Sequence, residues 1–170
     1  MEVLRTHHLF TKVIIQTKML LHGEVHKKIL NFVDNNYEKE KSDNLMSIVN
    51  GMQYHDIFDG KKELDMEINK KCLLLTSQKI LKSWLNVIDH KAHNLPHHHI
   101  AGTDLSGVYY LTSKNSPITF TQMDEIFELT PNQFDLIIFP SSLIHYVFPS
   151  ESKEKRISYS FNLTSNIEEI

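Results

Sequence analysis

The sequence lacks the features of an exported or membrane-spanning chain. A single cysteine, Cys72, occurs among 170 residues, so no internal disulfide can form and a reducing compartment is favoured. We expect Cys72 to be a small buried hydrophobic side chain. No apolar run approaches the roughly 20 residues of a transmembrane helix. Lys12 and Lys18 interrupt the apolar residues near the N-terminus, which does not fit a signal peptide. We therefore expect a cytoplasmic protein with no membrane partner.

Arginine is also scarce, since Arg5 and Arg156 stand against 16 lysines. Arginine is better suited than lysine to planar, bidentate binding of a carboxylate. An arginine inside a predicted core strand is therefore a candidate ligand-binding residue. The net charge of −3 gives no electrostatic attraction for nucleic acid and disfavours such a partner. The hydrophobic content of 41% and charged content of 23% are typical of a globular domain.

The N-terminal part of the chain contains two helical patterns. Lys12 to Leu20 is rich in valine and isoleucine and predicts a short strand. His22 to Glu38 and Lys61 to Leu75 each place apolar side chains at helical spacing and predict amphipathic helices. Between them, Ser42 to Gln53 fits either a short helix or a loop. We find no catalytic constellation in this part of the sequence.

From Lys79 the hydrophobic period changes from that of helices to that of strands. Turn residues separate seven strand patterns, which are Ile80 to Ile88, Leu105 to Thr112, Ile118 to Thr121, Glu125 to Leu129, Asp135 to Phe139, Leu143 to Phe148 and Arg156 to Leu163. Helices followed by a run of strands predict an α+β protein with an all-β core and the helices packed on one face of an antiparallel sheet. We expect one domain, 1–170, with residues 1–78 as a helical support and 79–163 as the core.

Three consecutive histidines follow Pro96. Histidine is a common metal ligand through a neutral ring nitrogen. In an extended chain residues i and i+2 point to the same side, so His97 and His99 can reach one ion while His98 points away. Taken alone, these residues fit an exposed polar loop as well as they fit a metal site.

The C-terminal third adds a histidine and an arginine to this pattern. His145 lies in the middle of a strand pattern. A lone histidine on an apolar face is more often a buried core residue than a ligand, but here Arg156 follows eleven residues later. Strand alternation places Arg156 on one face with Ser158, Ser160 and Asn162. That face is either the solvent side of a sheet or a polar barrel interior that binds a ligand.

These motifs resemble those of the Fe(II)/2-oxoglutarate-dependent oxygenase superfamily. The matching residues are His97-x-His99, Leu105-Ser-Gly-Val-Tyr-Tyr-Leu111, Leu136-Ile-Ile-Phe-Pro140, His145 and Arg156-Ile-Ser158. More narrowly, residues 79–163 resemble a small branch that is common in marine bacteria and their phages. The resemblance implies a double-stranded β-helix, a jelly-roll also found in cupins. If a phage encodes the chain, the resemblance implies that the protein is located in the cytoplasm of the host cell.

The resemblance also implies roles for individual residues. His97 and His145 would bind Fe(II), and Arg156 would complete the catalytic set by pairing with the far carboxylate of 2-oxoglutarate. Ser158 and Tyr110 would be further co-substrate-binding residues. The implied enzyme is a dioxygenase, in the first instance a hydroxylase. It uses O2 to decarboxylate 2-oxoglutarate to succinate and oxidises a second substrate. Ascorbate would support the activity by keeping the iron in the reduced Fe(II) state.

The third metal ligand is where this chain departs from the superfamily. The usual set is two histidines and a carboxylate, whereas His99 stands at the position of the carboxylate. Three neutral imidazoles leave the ion at charge +2, which the 2-oxoglutarate dianion can balance. Alternatively Asp104 folds back as the third ligand, or His99 lies behind the ligands and water completes the set. His98 and His93 are weaker candidates.

Two other functions fit part of the pattern. A cupin-like metal enzyme would keep the barrel and the histidines but would need no buried arginine at position 156. A non-catalytic β-domain would carry the histidines on its surface. For an oxygenase, the sequence leaves the substrate open among a peptide, a free amino acid and another small molecule, and no pattern indicates an oligomeric state.

Overall fold

The chain forms two helices and thirteen strands within the part that the computed structural model describes, residues 4–9, 12–40, 44–45, 47–56, 58–99, 103–113, 116–149 and 151–165. The helices are α1 (Gly23–Glu40) and α2 (Lys61–Thr76). The strands before residue 78 are β1 (Arg5–Leu9), β2 (Lys12–Lys18), β3 (Asn44–Leu45), β4 (Ile48–Val49) and β5 (Met52–Tyr54). The later strands are β6 (Lys79–Ile88), β7 (His93–His97), β8 (Leu105–Tyr110), β9 (Ile118–Gln122), β10 (Glu125–Leu129), β11 (Asp135–Pro140), β12 (Ile144–Val147) and β13 (Arg156–Thr164).

The strands make two antiparallel sheets. The larger has the order β1-β2-β11-β8-β13-β6-β5, and the smaller has the order β10-β9-β12-β7-β4-β3. Apolar side chains from both sheets meet in one core cluster, for example Phe120 of β9 against Phe139 of β11, with ring centroids 5.0 Å apart. The sheets therefore face each other, and the predicted all-β core is confirmed.

The two helices cover the outer face of the larger sheet. Ile29 and Val33 of α1 and Leu64 and Ile68 of α2 are fully buried in a cluster with side chains of that sheet. The strand side chains that they cover alternate along β13 and are Ile157, Tyr159, Phe161 and Leu163. The remaining residues of β13 therefore point between the sheets, so its polar face is a barrel interior and not a solvent face.

A partly buried polar network also fixes α2 to the larger sheet. The Lys61 ammonium of α2 donates to Tyr159 Oη at 2.6 Å and to Ser83 Oγ at 2.5 Å. Asp65, one turn later, accepts from Tyr159 Oη at 2.7 Å and from Ser83 Oγ at 2.9 Å. These bonds connect α2 with β6 and β13, the strands that carry the inward-facing polar residues.

Three segments differ from the sequence-based prediction. The sequence of Ser42 to Gln53 predicts either a short helix or a loop, and neither describes it fully, because the described part of this segment forms β3, β4 and the start of β5. These strands have two or three residues, which is too few for a hydrophobic period to appear. β1 and β7 are additional strands, and β7 contains Pro96, a residue that normally argues against a strand.

The N-terminal part of the chain is more than a helical support. β2 pairs with β11 in the larger sheet, and β4 pairs with β7 in the smaller one. Residues before position 78 thus extend both sheets of the core, which supports our proposal of a single domain.

Cys72 and the helices can be compared with the expectations of a structural cysteine and of no membrane-spanning helix. Cys72 is buried in α2, and burial raises the pKa of its thiol to about 12, as expected for a structural side chain. Among the described residues, no helix is both long enough and apolar enough to cross a membrane.

Gly107 provides a test of the packing of the central strand β8. A Cβ atom at this position would overlap the ring of Phe161 and lie 3.0 Å from the Ile137 carbonyl oxygen. We expect Gly107→Ala to lower the free energy of unfolding by about 1–3 kcal/mol, as for other overpacked cores. Gly23→Ala is the matched control because nothing lies within 4 Å of its Cβ position. Chemical denaturation measures both, and equal midpoints for the two variants would contradict the packing.

Candidate metal and ligand site

Strand pairing brings the predicted metal ligands together. His97 of β7 is the direct partner of His145 of β12, and their ring centroids are 4.3 Å apart. His99 lies just after β7, where its backbone N–H donates to the Ser141 carbonyl at 2.8 Å. This bond holds the His99 ring 5.1 Å from His97 and 5.3 Å from His145. One ligand nitrogen from each ring lies within 4.8 Å of the other two.

Backbone carbonyls determine which nitrogen is free on two of these rings. His97 Nδ1 lies 2.7 Å from the Leu95 carbonyl oxygen, and His145 Nδ1 lies 3.0 Å from the Leu143 carbonyl oxygen. Because a carbonyl can only accept, both Nδ1 atoms carry the proton and each neutral ring presents the lone pair of Nε2. Hydrogen bonds of this kind orient metal-binding histidines.

All three rings are held in the neutral form that binds a metal ion. Burial, and then the neighbouring His97, lower the pKa of His145 to about 3, although the bond to Leu143 opposes this shift. Burial also lowers the pKa of His99 to about 4 and lowers that of His97. Proton competition with a metal ion is therefore weak at neutral pH, because the lone pairs are already available.

Arg156 lies at the start of β13 and is 3% exposed. Its Nη2 donates to Tyr110 Oη at 3.0 Å, and its guanidinium carbon lies 5.0 Å from the centroid of the same ring. Its Nε and Nη1 atoms are buried and have no hydrogen-bond partner among the described residues. Burial raises the pKa of Tyr110, so its hydroxyl stays protonated and can donate to another group. Two unpaired guanidinium nitrogens and the Tyr110 hydroxyl are thus hydrogen-bond donors that could bind an anion.

One narrow cavity connects the histidines with the arginine. Its lining includes the three histidine rings, Arg156 and the two serines that follow Arg156 on the same face of β13, Ser158 and Ser160. The adjacent strand β6 of the same sheet contributes Trp84 and Asn86. The Asn86 side chain donates to Ser160 Oγ at 2.7 Å and accepts from the Gln53 amide at 2.9 Å. The site therefore combines a possible metal centre and a possible anion site in a single space.

The alternative ligands lie elsewhere. Asp104 is exposed, and its Oδ2 accepts from Ser165 Oγ at 2.9 Å and from the Gln78 amide at 3.4 Å. His98 is exposed, as the alternation of an extended chain predicts. Among the described residues, the group of His, Cys, Asp and Glu side chains that could hold an ion consists of His97, His99 and His145.

The sequence-based prediction did not include Trp84 and Asn86. Both lie on β6, which pairs with β13 so that Trp84 is opposite Ser160 and Asn86 is opposite Ser158. Alternation along β6 from Trp84 could have placed them on one face, but the pairing of β6 with β13 is not visible in the sequence. Their position follows from the sheet order alone.

Comparison with known proteins supports the superfamily resemblance. Residues 114–162 match the model of a family described as "Putative 2OG-Fe(II) oxygenase", and this segment contains His145, Arg156 and Ser158. No curated protein matches the sequence of this chain. The narrower branch in marine bacteria and phages stays a prediction.

Solved structures with the same fold are numerous. A prolyl hydroxylase from Trichoplax adhaerens, in complex with a peptide fragment of hypoxia inducible factor, is 14% identical with a TM-score of 0.67 over 89% of this chain and 83% of that chain. A Pseudomonas putida prolyl-4-hydroxylase is 12% identical with a TM-score of 0.65 over 92% and 94% of the two chains. HygX from Streptomyces hygroscopicus, with nickel, 2-oxoglutarate and hygromycin B bound, is 6% identical with a TM-score of 0.68 over 91% and 83%. At these identities the likeness establishes the fold.

The low pKa of His145 leads to a pH dependence of stability. An unfolded imidazole titrates near 6.5, so between about pH 6.5 and 3 the unfolded chain binds a proton that the folded chain does not. The contribution of neutral His145 is fully present above about pH 6.5 and is lost as the pH falls from there. We compare metal-stripped wild type with metal-stripped His145→Asn. As the pH falls below about 6.5, we expect the free energy of unfolding of the wild type to decrease more steeply than that of the variant, by at most about 1.4 kcal/mol per pH unit.

Urea denaturation of both proteins between pH 7 and pH 5 measures this difference. Asparagine cannot protonate, and its Nδ2 can replace the bond that Nδ1 makes to Leu143. Parallel stability curves for wild type and variant would contradict the neutral, buried state of His145.

Proposed function

We propose that this chain is an Fe(II)- and 2-oxoglutarate-dependent dioxygenase whose reaction is a hydroxylation. The observation that carries the proposal is the Arg156 guanidinium, which is buried with two unpaired nitrogens in the same cavity as three neutral histidines. A metal ion and a carboxylate-bearing co-substrate together account for both groups. The family match over residues 114–162 and the shared fold support the same function.

His97, His99 and His145 fit the iron. Their ligand nitrogens lie within 4.8 Å of one another. Three nitrogens that are each about 2.1 Å from one ion lie about 3–3.6 Å apart, so binding of the ion would draw the three rings together by up to about 1–2 Å. His99 is preferred to Asp104 as the third ligand because the Asp104 carboxylate is bound to Ser165 and Gln78. A centre of three neutral imidazoles leaves the metal at charge +2, which a dianionic co-substrate balances.

Arg156 fits the far carboxylate of 2-oxoglutarate. Its unpaired Nε and Nη1 can donate charge-assisted hydrogen bonds to carboxylate oxygens, and the Tyr110 hydroxyl and Ser158 can add further donors. The cavity is narrow, about 30 Å³, so binding of the co-substrate requires lining side chains to move apart. The Asn86–Ser160 hydrogen bond at 2.7 Å crosses from β6 to β13 and is one contact that can open.

With O2, bound iron and 2-oxoglutarate supply an oxidant for a C–H bond, with release of succinate and CO2, and ascorbate keeps the iron reduced. The chain itself holds and orients these groups. Carbonyl-bound His97 and His145 present fixed Nε2 atoms, and Arg156 orients the co-substrate along the cavity. The apolar cluster of both sheets, with Phe120 and Phe139 near His145, excludes water from one side of the metal. Hydroxylation is the outcome we propose because two of the similar structures are named as hydroxylases of proline.

The same observation disfavours a cupin-like enzyme without 2-oxoglutarate. Such an enzyme could use the three histidines, but it would leave the Arg156 guanidinium buried without an anion. A buried charge without a partner costs several kcal/mol. A non-catalytic domain would leave both the arginine and the histidine cluster unexplained.

Arg156→Lys tests the co-substrate assignment. Lysine keeps the charge but cannot donate two parallel hydrogen bonds. Losing one charge-assisted bond of roughly 1.5–3 kcal/mol predicts about ten- to hundredfold weaker binding of 2-oxoglutarate. Calorimetric titration of 2-oxoglutarate into Mn(II)-loaded protein measures the affinity, and Mn(II) binding should be retained. Arg5→Lys is the matched control, since Arg5 is exposed on β1. Equal affinities in wild type and Arg156→Lys would refute the assignment.

His99→Ala and Asp104→Ala together test the third ligand. We expect His99→Ala to lose most of its Fe(II) because it removes one of three ligands, and Asp104→Ala to retain one ion per chain. His97→Ala and His145→Ala should also lose the metal. Metal analysis after dialysis reads all four variants, with circular dichroism as the check that each remains folded. If Asp104→Ala loses the metal and His99→Ala retains it, the third ligand is the Asp104 carboxylate and not His99.

A further inference from the structure

We propose that the groove outside the histidine cluster binds a small organic acid as the primary substrate, and that Lys82 and Asn162 bind its carboxylate. This inference rests on the proposed function, because it reserves the inner cavity for 2-oxoglutarate. It adds a substrate class and two specificity-determining residues.

The groove lies against the outer side of the histidine cluster. Its volume is about 430 Å³, within the usual range of small-molecule sites. Trp84, His97 and His99 line both this groove and the inner cavity. A molecule in the groove is therefore separated from the co-substrate space by the side chains proposed to hold the metal. The other lining residues are Ser47, Lys82, Leu95, Pro96, His98 and Asn162.

The charge of the groove is positive although the chain as a whole carries −3. Lys82 lies on its wall, and among the described residues that line the groove there is no aspartate or glutamate. Many lysines of this chain are paired with acids, such as Lys18 with Asp135 at 2.8 Å and Lys28 with Glu63 at 3.2 Å. Within the described part of the chain, no carboxylate oxygen lies within 4.0 Å of the Lys82 ammonium. Its charge is available to a ligand.

A second donor lies beside this ammonium. Asn162 of β13 is the direct cross-strand partner of Lys82 of β6. Its Oδ1 accepts from Ser106 Oγ at 3.0 Å, which leaves the two N–H donors at the other end of the amide for a ligand. A carboxylate between the two strands can accept one bond from each residue, and the bond from Lys82 is charge-assisted.

The rest of the groove suits the carbon chain of such an acid. Leu95 is 45% exposed and Pro96 is exposed, so both present apolar surface to the groove. The Trp84 indole lies beside them and packs against the His99 ring at a centroid distance of 5.6 Å. An apolar body over these side chains lies next to the metal while its carboxylate reaches the Lys82–Asn162 pair.

The experiment uses Trp84 as its reporter, because it is the single tryptophan of the chain. Protein loaded with Zn(II), which does not react with O2, is saturated with 2-oxoglutarate so that the inner cavity is filled. Hexanoate, hexanamide and hexylamine, which have the same carbon chain, are then titrated and followed by Trp84 fluorescence. We expect hexanoate to bind about fivefold more tightly than hexanamide, as for a largely exposed ion pair. High salt should reduce this preference.

Substitutions on β6 make the test specific. Lys82→Gln should abolish the preference for hexanoate, and Lys82→Glu should reverse it in favour of hexylamine. Lys79→Gln, on an exposed lysine of the same strand, should leave it intact. Equal binding of acid and amide by wild type, an unchanged preference in Lys82→Gln, or no response to any probe would overturn the inference. The last result would favour a larger occupant such as a peptide.

The same samples separate this inference from the proposed function. If 2-oxoglutarate does not bind to the Zn(II)-loaded protein, the co-substrate assignment fails and the groove inference falls with it. If 2-oxoglutarate binds, with a dependence on Arg156, but acid and amide bind equally, the groove inference alone fails.

Discussion

The buried charge of Arg156 is the constraint on which the rest of the site depends. An ionised side chain that is 3% exposed must find compensation for lost hydration. The Tyr110 hydroxyl accepts one hydrogen bond at 3.0 Å, and its ring lies beneath the guanidinium, but two nitrogens stay unpaired among the described residues. Asp135 is buried on β11, which is separated from β13 by β8, and it is already bound to Lys18, Gln16 and the Asn132 N–H. An anionic ligand is the compensation that this arrangement leaves open.

The proposed metal centre would add a second positive charge to the cavity that holds Arg156. Three imidazoles without a carboxylate do not neutralise a divalent ion, so positive charge would stand at both ends of the cavity. A dicarboxylate placed between them can meet both charges, whereas a monoanion can meet only one. The proposed set of three histidines, in place of two histidines and an acid, therefore agrees with a dianionic co-substrate.

The fold produces this arrangement by giving the two faces of each strand different tasks. On β13 one face, including Tyr159 and Phe161, anchors the helices, and the other face, including Arg156 and Ser158, lines the cavity. The helices and the Lys61 network hold β6 and β13 from outside, so a polar interior can persist without loss of the core. Gly107 shows how closely these layers fit, since the Phe161 ring occupies the space where its side chain would be.

The sequence predicted the candidate site residues and the alternation of side chains along each strand. It did not predict which strands pair with each other. Alternation correctly placed Arg156 and Ser158 opposite Ile157 and Tyr159, because a strand has a period of two whatever its neighbours are. The pairing of His97 with His145 needed the resemblance, since cross-strand register between distant segments leaves no local signal. Asp104 stayed an alternative because its hydrogen bonds to Ser165 and Gln78 depend on the tertiary structure.

The short strands and the Lys82–Asn162 pair could not be predicted from the sequence, because they too depend on strand pairing. The strands β3, β4 and β5 are too short to show a hydrophobic period. They form by pairing, β4 with β7, β5 with β6, and β3 with β4. Lys82 and Asn162 become a pair only through sheet order. Local patterns thus predicted the candidate site residues, and the sheet topology decided which of them meet.

In the proposed function the histidine cluster and Arg156 act together on 2-oxoglutarate. The most direct test is the amount of succinate formed from 2-oxoglutarate by purified, iron-loaded protein with O2 and ascorbate and with no added substrate. We expect slow formation of succinate, matched by an equal amount of CO2, that requires Fe(II), is lost in His145→Ala and, at limiting 2-oxoglutarate, is reduced about ten- to hundredfold in Arg156→Lys. Protein that holds one Fe(II) per chain and forms no succinate would contradict it.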